Sequence, residues 1–161
     1  MTTTRGNPTD VVDAPLAASL ASGDELLMYR SGQPYRIKAD KMTPVHMMLD
    51  VGDQTTDLTA ATNKKIFRMP YAMVVTAVRA SVSTAPVGAN IVVDINDSGT
   101  TILSTKLSID DGEKTSTTAA TAAVISDSAL ADDAEISIDI DQIGSGTAGK
   151  GLKVILIGYR S

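Results

Sequence analysis

Apolar and polar residues alternate with a period of two along most of the chain beyond residue 60, and helical periodicity is hard to find anywhere. The cleanest run is 134–141, where Ile136, Ile138 and Ile140 face one way and Glu135, Ser137, Asp139 and Asp141 the other. Such a strand keeps one face dry and the other wet. Further strands are predicted at 64–69, 72–82, 90–96, 101–107, 122–126 and 152–159, with a weaker one at 113–117. Clusters of Gly, Asn, Asp and Ser separate them at the spacing of a β-sandwich. About eight strands with one long Ala/Thr-rich connection near 115–123 fit an all-β, jelly-roll-like antiparallel β-sandwich. An immunoglobulin-like sandwich is the other arrangement they would build. No period of 20 to 50 residues repeats, which excludes solenoids and propellers.

Two strands depart from one-sided alternation. In 152–159, Leu152, Val154 and Leu156 fill one face while Ile155, Ile157 and Tyr159 occupy the other. In 72–82, Val74, Thr76, Val78 and Val82 oppose Met73, Val75 and Ala77. A two-layer sandwich covers one face of each sheet, so the second apolar face needs the N-terminal hairpin, a long loop or another subunit. Another subunit is the favoured cover, and Ile155, Ile157 and Tyr159 are its candidate interface residues.

The first 22 residues, rich in Thr, Ala, Ser and Asp with Pro8 and Pro15, read as an extended arm. A polar arm of this kind becomes ordered only where something outside its own core holds it, so a partner or a lattice is expected to do so. Next, 25–30 and 35–38 flank Ser31-Gly32-Gln33-Pro34, a four-residue connection that predicts a β-hairpin. Residues 39–42 begin a helical turn that Pro44 discourages, because the residue before a proline is driven away from the α region. The boundary therefore falls at Thr43-Pro44, dividing an arm and hairpin (1–43) from the sandwich (44–161).

Composition removes several function classes. The 161 residues carry 14 Lys and Arg against 19 Asp and Glu, a net charge of −5, which leaves no surplus cation for nucleic acid or anionic lipid. Cutting after Met48 puts five basic and five acidic residues before the cut, and nine and fourteen after it, so the surplus lies in the sandwich. Cysteine is absent, which excludes disulfides, thiol nucleophiles and thiolate metal sites. The five aromatics, Tyr29, Tyr35, Phe67, Tyr71 and Tyr159, are too few for the stacking platforms of sugar-binding or single-strand-binding domains. No positive stretch followed by an apolar run opens the chain, and no apolar run approaches the roughly 20 residues of a membrane span. A soluble protein made in a cytoplasm is expected.

Several motifs suggest chemistry that their context opposes. Gly144-Ser145-Gly146-Thr147-Ala148-Gly149 matches the dinucleotide fingerprint, but a strand rather than a helix follows it, and the chain ends twelve residues after Gly149. Asp94-Ile95-Asn96-Asp97-Ser98-Gly99 resembles the start of a calcium loop, yet position twelve is Thr105 instead of a bidentate glutamate. A strand-to-strand turn explains it better. His46, the one histidine, reads as a packing or interface residue. The row Glu135, Asp139 and Asp141 reads as a solvated strand face, not an acid and base pair. Lys64-Lys65 is too small for a nucleic-acid footprint. Met42, Met47 and Met48 cluster at the boundary, where flexible thioethers serve core packing or a partner surface equally. No catalytic residue, metal or cofactor is expected.

Two segments carry a resemblance. Residues 23–37, reading Gly-Asp-Glu-Leu-Leu-Met-Tyr-Arg-Ser-Gly-Gln-Pro-Tyr-Arg-Ile, followed by Ala39-Asp40-Lys41-Met42, resemble the attachment segment near the start of small virion proteins of tailed bacteriophages. The stretch from Ile102-Leu103-Ser104-Thr105-Lys106-Leu107 through Ile125-Ser126-Asp127-Ser128-Ala129-Leu130 to Gly149-Lys150-Gly151-Leu152-Lys153-Val154 is similar to β-sandwich domains of phage structural proteins. The resemblance, to the head-decoration, head-fibre and tail-fibre group, covers most of residues 23–161. It implies a non-enzymatic, homotrimeric virion component that grips the major capsid protein or another virion protein. On that basis Leu27, Met28, Tyr29, Tyr35, Ile37 and Met42 are the candidate particle-attachment residues. Scarce aromatics argue against host-sugar recognition and short length against a complete tail fibre, which puts capsid decoration ahead of a tail-fibre or adaptor role and of a carbohydrate-binding sandwich.

Overall fold

The computed structural model describes residues 25–31, 33–38 and 44–161. The chain divides into two compact units, Met1–Ala39 and Asp40–Ser161. The expected arm (1–22), the helical turn at 39–42 and Met42 lie outside the described residues.

In the first unit, strands β1 (Glu25–Arg30) and β2 (Gln33–Lys38) pair antiparallel, from Glu25 opposite Lys38 to Arg30 opposite Gln33. This register leaves a two-residue turn in place of the four-residue connection expected, and draws Gln33 and Pro34 into β2. Ser31 adopts φ 52°, the left-handed value that tight hairpin turns require because it matches the twist of the flanking strands. Pro34 is tolerated because a two-stranded ribbon leaves an edge on which its missing N–H is not needed. Met28 stands opposite Tyr35, Leu27 opposite Arg36, Tyr29 opposite Pro34, and Ile37 opposite Leu26. An exposed ion pair of 3.0 Å joins Arg36 to Glu25.

The second unit is a sandwich of antiparallel sheets. Its strands are β3 (Val45–Asp50), β4 (Ala61–Arg68), β5 (Met73–Ser81), β6 (Ile91–Asp97), β7 (Thr100–Thr101), β8 (Leu103–Thr105), β9 (Leu107–Ile109), β10 (Val124–Ile125), β11 (Ala129–Leu130), β12 (Glu135–Gln142) and β13 (Lys153–Arg160). One sheet has the order β11-β5-β13-β3; the other runs β4-β12-β6, with β7 and β9 both on the far side of β6. A short ribbon pairs β8 with β10. Between the sheets lies one aliphatic core, as the alternation predicts. Ile136, Ile138 and Ile140 of β12 meet Ile91, Val93 and Ile95 of β6 from one side, and Met73, Val75, Val154 and Leu156 from the other, all at most 2% exposed. Burying each such side chain contributes about 1.5–3 kcal/mol.

Several strand expectations need correction. Val45–Asp50 forms β3, where no strand was predicted: Val45, Met47 and Leu49 turn toward the core, while His46, Met48 and Asp50 turn outward. Its pairing with β13 joins residues about a hundred positions apart, which local propensity does not report. Ala129–Leu130 also pairs, as β11, against the end of β5. The predicted strand at 113–117 reduces to a single bridge, Ser81 to Thr115, and 122–126 shrinks to the two residues of β10. In β5 a bulge at Thr76 breaks the alternation, because Ile157 pairs with Ala77 but Gly158 with Val75. Val78 therefore packs on the core while Val74 does not, although the sequence puts them on one face.

The predicted strand at 101–107 is interrupted for a reason visible around Asp94. Thr101 pairs with Asn96 and Leu107 with Val93, so the five residues from Ile102 to Lys106 stand opposite only Asp94 and Ile95. The buried Asp94 carboxylate fills the gap. It accepts hydrogen bonds from the Thr101 hydroxyl and the Ile95 N–H, and pairs at 3.0 Å with the Lys106 ammonium, which also holds Asp141. Hydrogen bonds to Asp141 first and Asp94 second raise the Lys106 pKa above its ordinary 10.5. The stabilisation is therefore complete below 10.5 and fades as pH rises through the higher folded value. Lys106→Met leaves a buried carboxylate without its cation, at an expected cost of about 1–3 kcal/mol. Urea unfolding should show this loss near neutral pH and a smaller one above the lysine range.

Candidate functional site

The outer face of the β11-β5-β13-β3 sheet gathers the apolar residues left over by the core. Because β13 lies between β5 and β3, each of its outward residues has a neighbour on both sides. Ile155 stands between Met48 and Arg79, Ile157 between His46 and Ala77, and Tyr159 beside Val74. Met48 is 57% exposed, His46 and Arg79 are exposed, and Ile155, Ile157, Tyr159, Val74 and Ala77 are half-buried. The ion pair of Lys153 with Asp50 marks one end of the patch. Toward the other, the Arg160 guanidinium lies 4.0 Å over the Tyr71 ring. The three interface residues expected from the sequence thus share one surface. Met48 and Val74 join them unforeseen, Met48 because β3 was missed and Val74 because the Thr76 bulge was.

Chemically this surface is an apolar stripe with Arg79, Lys153 and Arg160 at its margins. A contiguous apolar patch on an open sheet favours association, since covering it removes hydrocarbon from water. Arg79 makes no ion pair with any described carboxylate.

The carboxylate row on the opposite sheet is committed to structural partners. Glu135 pairs with Arg68 at 3.1 Å, Asp139 accepts from the Asn63 N–H at 2.7 Å and the Asn96 amide at 3.1 Å, and Asp141 holds Lys106. Ser137 is buried, so this face is not uniformly wet. Asp94 is held by Thr101 and Lys106 and Asn96 by Asp139, and residues 97–100 form the tight turn between β6 and β7, with Ser98 at φ 50° and Gly99 at φ 82°. No group of three or more potential ligands able to hold a metal occurs among the described residues.

The glycine-rich segment 144–149 joins β12 to β13 without an intervening helix. It is pinned to residues 84–88 by the bridges Val87 to Thr147 and Thr84 to Lys150. A side chain at Gly144 would overlap the Thr147 carbonyl, so close backbone packing explains that glycine. In the loop after β3, the Asp53 carboxylate accepts N–H bonds from Thr56 at 2.7 Å and Thr55 at 2.8 Å, which hold its pKa far below the ordinary 3.8.

The hairpin residues Leu27, Met28, Tyr29, Tyr35 and Ile37 are placed by backbone register alone, as given above. No protein-family model, curated protein or solved structure matches the chain.

Proposed function

We propose that the protein is a non-enzymatic structural component of a bacteriophage virion, a capsid decoration protein whose N-terminal segment binds the major capsid protein and whose sandwich projects outward as a homotrimer. The observation that carries this reading is the outward apolar face built from Ile155, Ile157, Met48 and Val74, which suits a chain that draws part of its stability from neighbours. The acidic surplus of the sandwich suits a face turned to solvent rather than to packaged DNA.

Reading the sandwich as a jelly roll is supported by its strand order. Successive strands alternate between the sheets, β3, β5, β11 and β13 in one and β4, β6 and β12 in the other, while β7 and β9 stay beside β6. Two interleaved Greek keys produce such an order. A decoration protein of this kind stabilises the shell because it binds the assembled state and draws the equilibrium toward it.

Removing residues 1–42 retains every strand of the sandwich, so the truncated protein should keep its β-sheet circular dichroism and lose particle binding in co-sedimentation. Undiminished binding would overturn the anchor assignment. Electron micrographs of particles carrying labelled protein should show label over the head; label confined to the tail would replace decoration with a tail-fibre or adaptor role.

A further inference from the structure

The free edge of β5 is paired at both ends and open in the middle. Residues two apart on a strand aim their N–H and C=O groups to the same side. On the side away from β13, the Val75 N–H donates to Ser128 O at 2.8 Å, the Ala80 N–H donates to Ser116 Oγ at 2.8 Å, and Ala80 O accepts from the Ser116 N–H at 3.0 Å. The Val82 N–H donates to Lys114 O at 3.0 Å. Val78 lies two residues before Ala80 in unbroken register with β13, so its N–H and C=O point to that same edge. Neither finds a partner among the described residues. Between Ser116 and Ser128 the chain swings away from β5 to form β10 with β8, leaving an open groove of about 580 Å³ along residues 76–79.

The lining of this groove describes what it takes. Val78, Leu107 and Ile125 are apolar, while Thr76, Thr117 and Ala123 are small. Arg79 stands at the lip and makes no ion pair with a carboxylate among the described residues. A second folded copy is a poor occupant, because the open stretch is only a few residues long and is flanked on both sides by segments already paired with β5. A free extended segment enters easily, and its outward residue beside β5 would meet Arg79 as a cross-strand neighbour.

We propose that the β5 edge at Thr76–Arg79 is a strand-addition site that receives an extended segment of a partner protein, with small or β-branched side chains toward the groove and a carboxylate opposite Arg79. Main-chain hydrogen bonds to Val78 supply the register, and the carboxylate supplies selectivity. The site is independent of the virion reading, since it requires only the sandwich.

The test uses the full chain, labelled with ¹⁵N, and two blocked pentapeptides, Thr-Val-Asp-Val-Thr and Thr-Val-Lys-Val-Thr. Hydrogen exchange at the Val78 amide should be fast in the free protein and slow at least about tenfold at millimolar Asp peptide. The Lys peptide should bind at least tenfold more weakly, and Arg79→Glu should reverse the preference. Three results would overturn the proposal: no change at Val78 with millimolar Asp peptide, shifts confined to another surface, or a Val78 amide already protected in the free protein because residues 117–123 fill the groove.

Discussion

Ile155→Asp combined with Ile157→Asp is expected to reduce the mass measured by light scattering to that of one 16.7 kDa chain, with little change in the thermal unfolding of the monomer. Both side chains lie on the outer sheet face, while the core depends on their neighbours Leu152, Val154 and Leu156, each 0% exposed. Each substitution removes about 1.5–3 kcal/mol of apolar burial per subunit. It also obliges a carboxylate to leave water, an effective penalty of several kcal/mol. Association should therefore weaken more than a thousandfold. Met48→Asp, on the adjacent strand, should act in the same direction, because Met48 lies directly beside Ile155. An unchanged oligomer mass in both variants would mean that the face is covered within the chain, and its assignment as the subunit interface would fall.

The second large effect is expected at Gly158. This residue sits on β13 where the Thr76 bulge shifts the register, and its backbone lies against β5 so closely that a Cβ would overlap the Val74 carbonyl oxygen and stand 2.9 Å from the Met73 methyl. Met73 is fully buried, and the Val74 carbonyl belongs to a backbone held between β13 and β11. Neither can retreat without opening the sheet. Gly158→Ala should cost about 3 kcal/mol, the upper range for inserting a methyl into a packed interior. The melting temperature would fall by about 6–12 °C. Gly99→Ala is the comparison: φ is 82° there, but a Cβ would meet nothing within 4 Å. Its cost should stay at about 1–3 kcal/mol from backbone strain alone. A Gly158→Ala protein that melts no lower than the Gly99→Ala protein would contradict the close approach.

Period-two spacing was legible from the chain itself, one-sided on β12 and apolar on both faces on β13. Ile136, Ile138 and Ile140 on β12 and Leu152, Val154 and Leu156 on β13 were assigned to the core by spacing alone, and all six are at most 1% exposed. Period-two alternation is a property of neighbouring residues, and burial selects it directly. The turn expected at 96–99 was also legible and lies one residue later, at 97–100, where Ser98 and Gly99 take the positive φ that short polar residues and glycine tolerate.

What remained hidden depended on partners distant in sequence. β3 has methionines in place of β-branched residues and follows a proline, so nothing local marks it; it is a strand because the open edge of β13 supplies its hydrogen bonds. The bulge at Thr76 left no signature in the run Met73–Val78, where apolar residues stand on both sides of it. The excursion at 102–106 exists because Asp94 and Lys106 meet across the gap, a pairing that strand periodicity does not encode.

By itself the sequence determined an all-β chain with an aliphatic core, a surplus apolar face on its last strand, an acidic sandwich, and a hairpin at 25–38. Those properties follow from residue type and short spacing. The tertiary structure alone decided which strands flank β13, and so brought Met48 and Val74 to the same face as Ile155 and Ile157. Among the described residues it also left the edge-facing N–H and C=O of Val78 without a partner, beside an Arg79 that pairs with no carboxylate. Strand order and edge pairing arise from contacts between residues far apart in the chain, and their energy depends on what those residues meet.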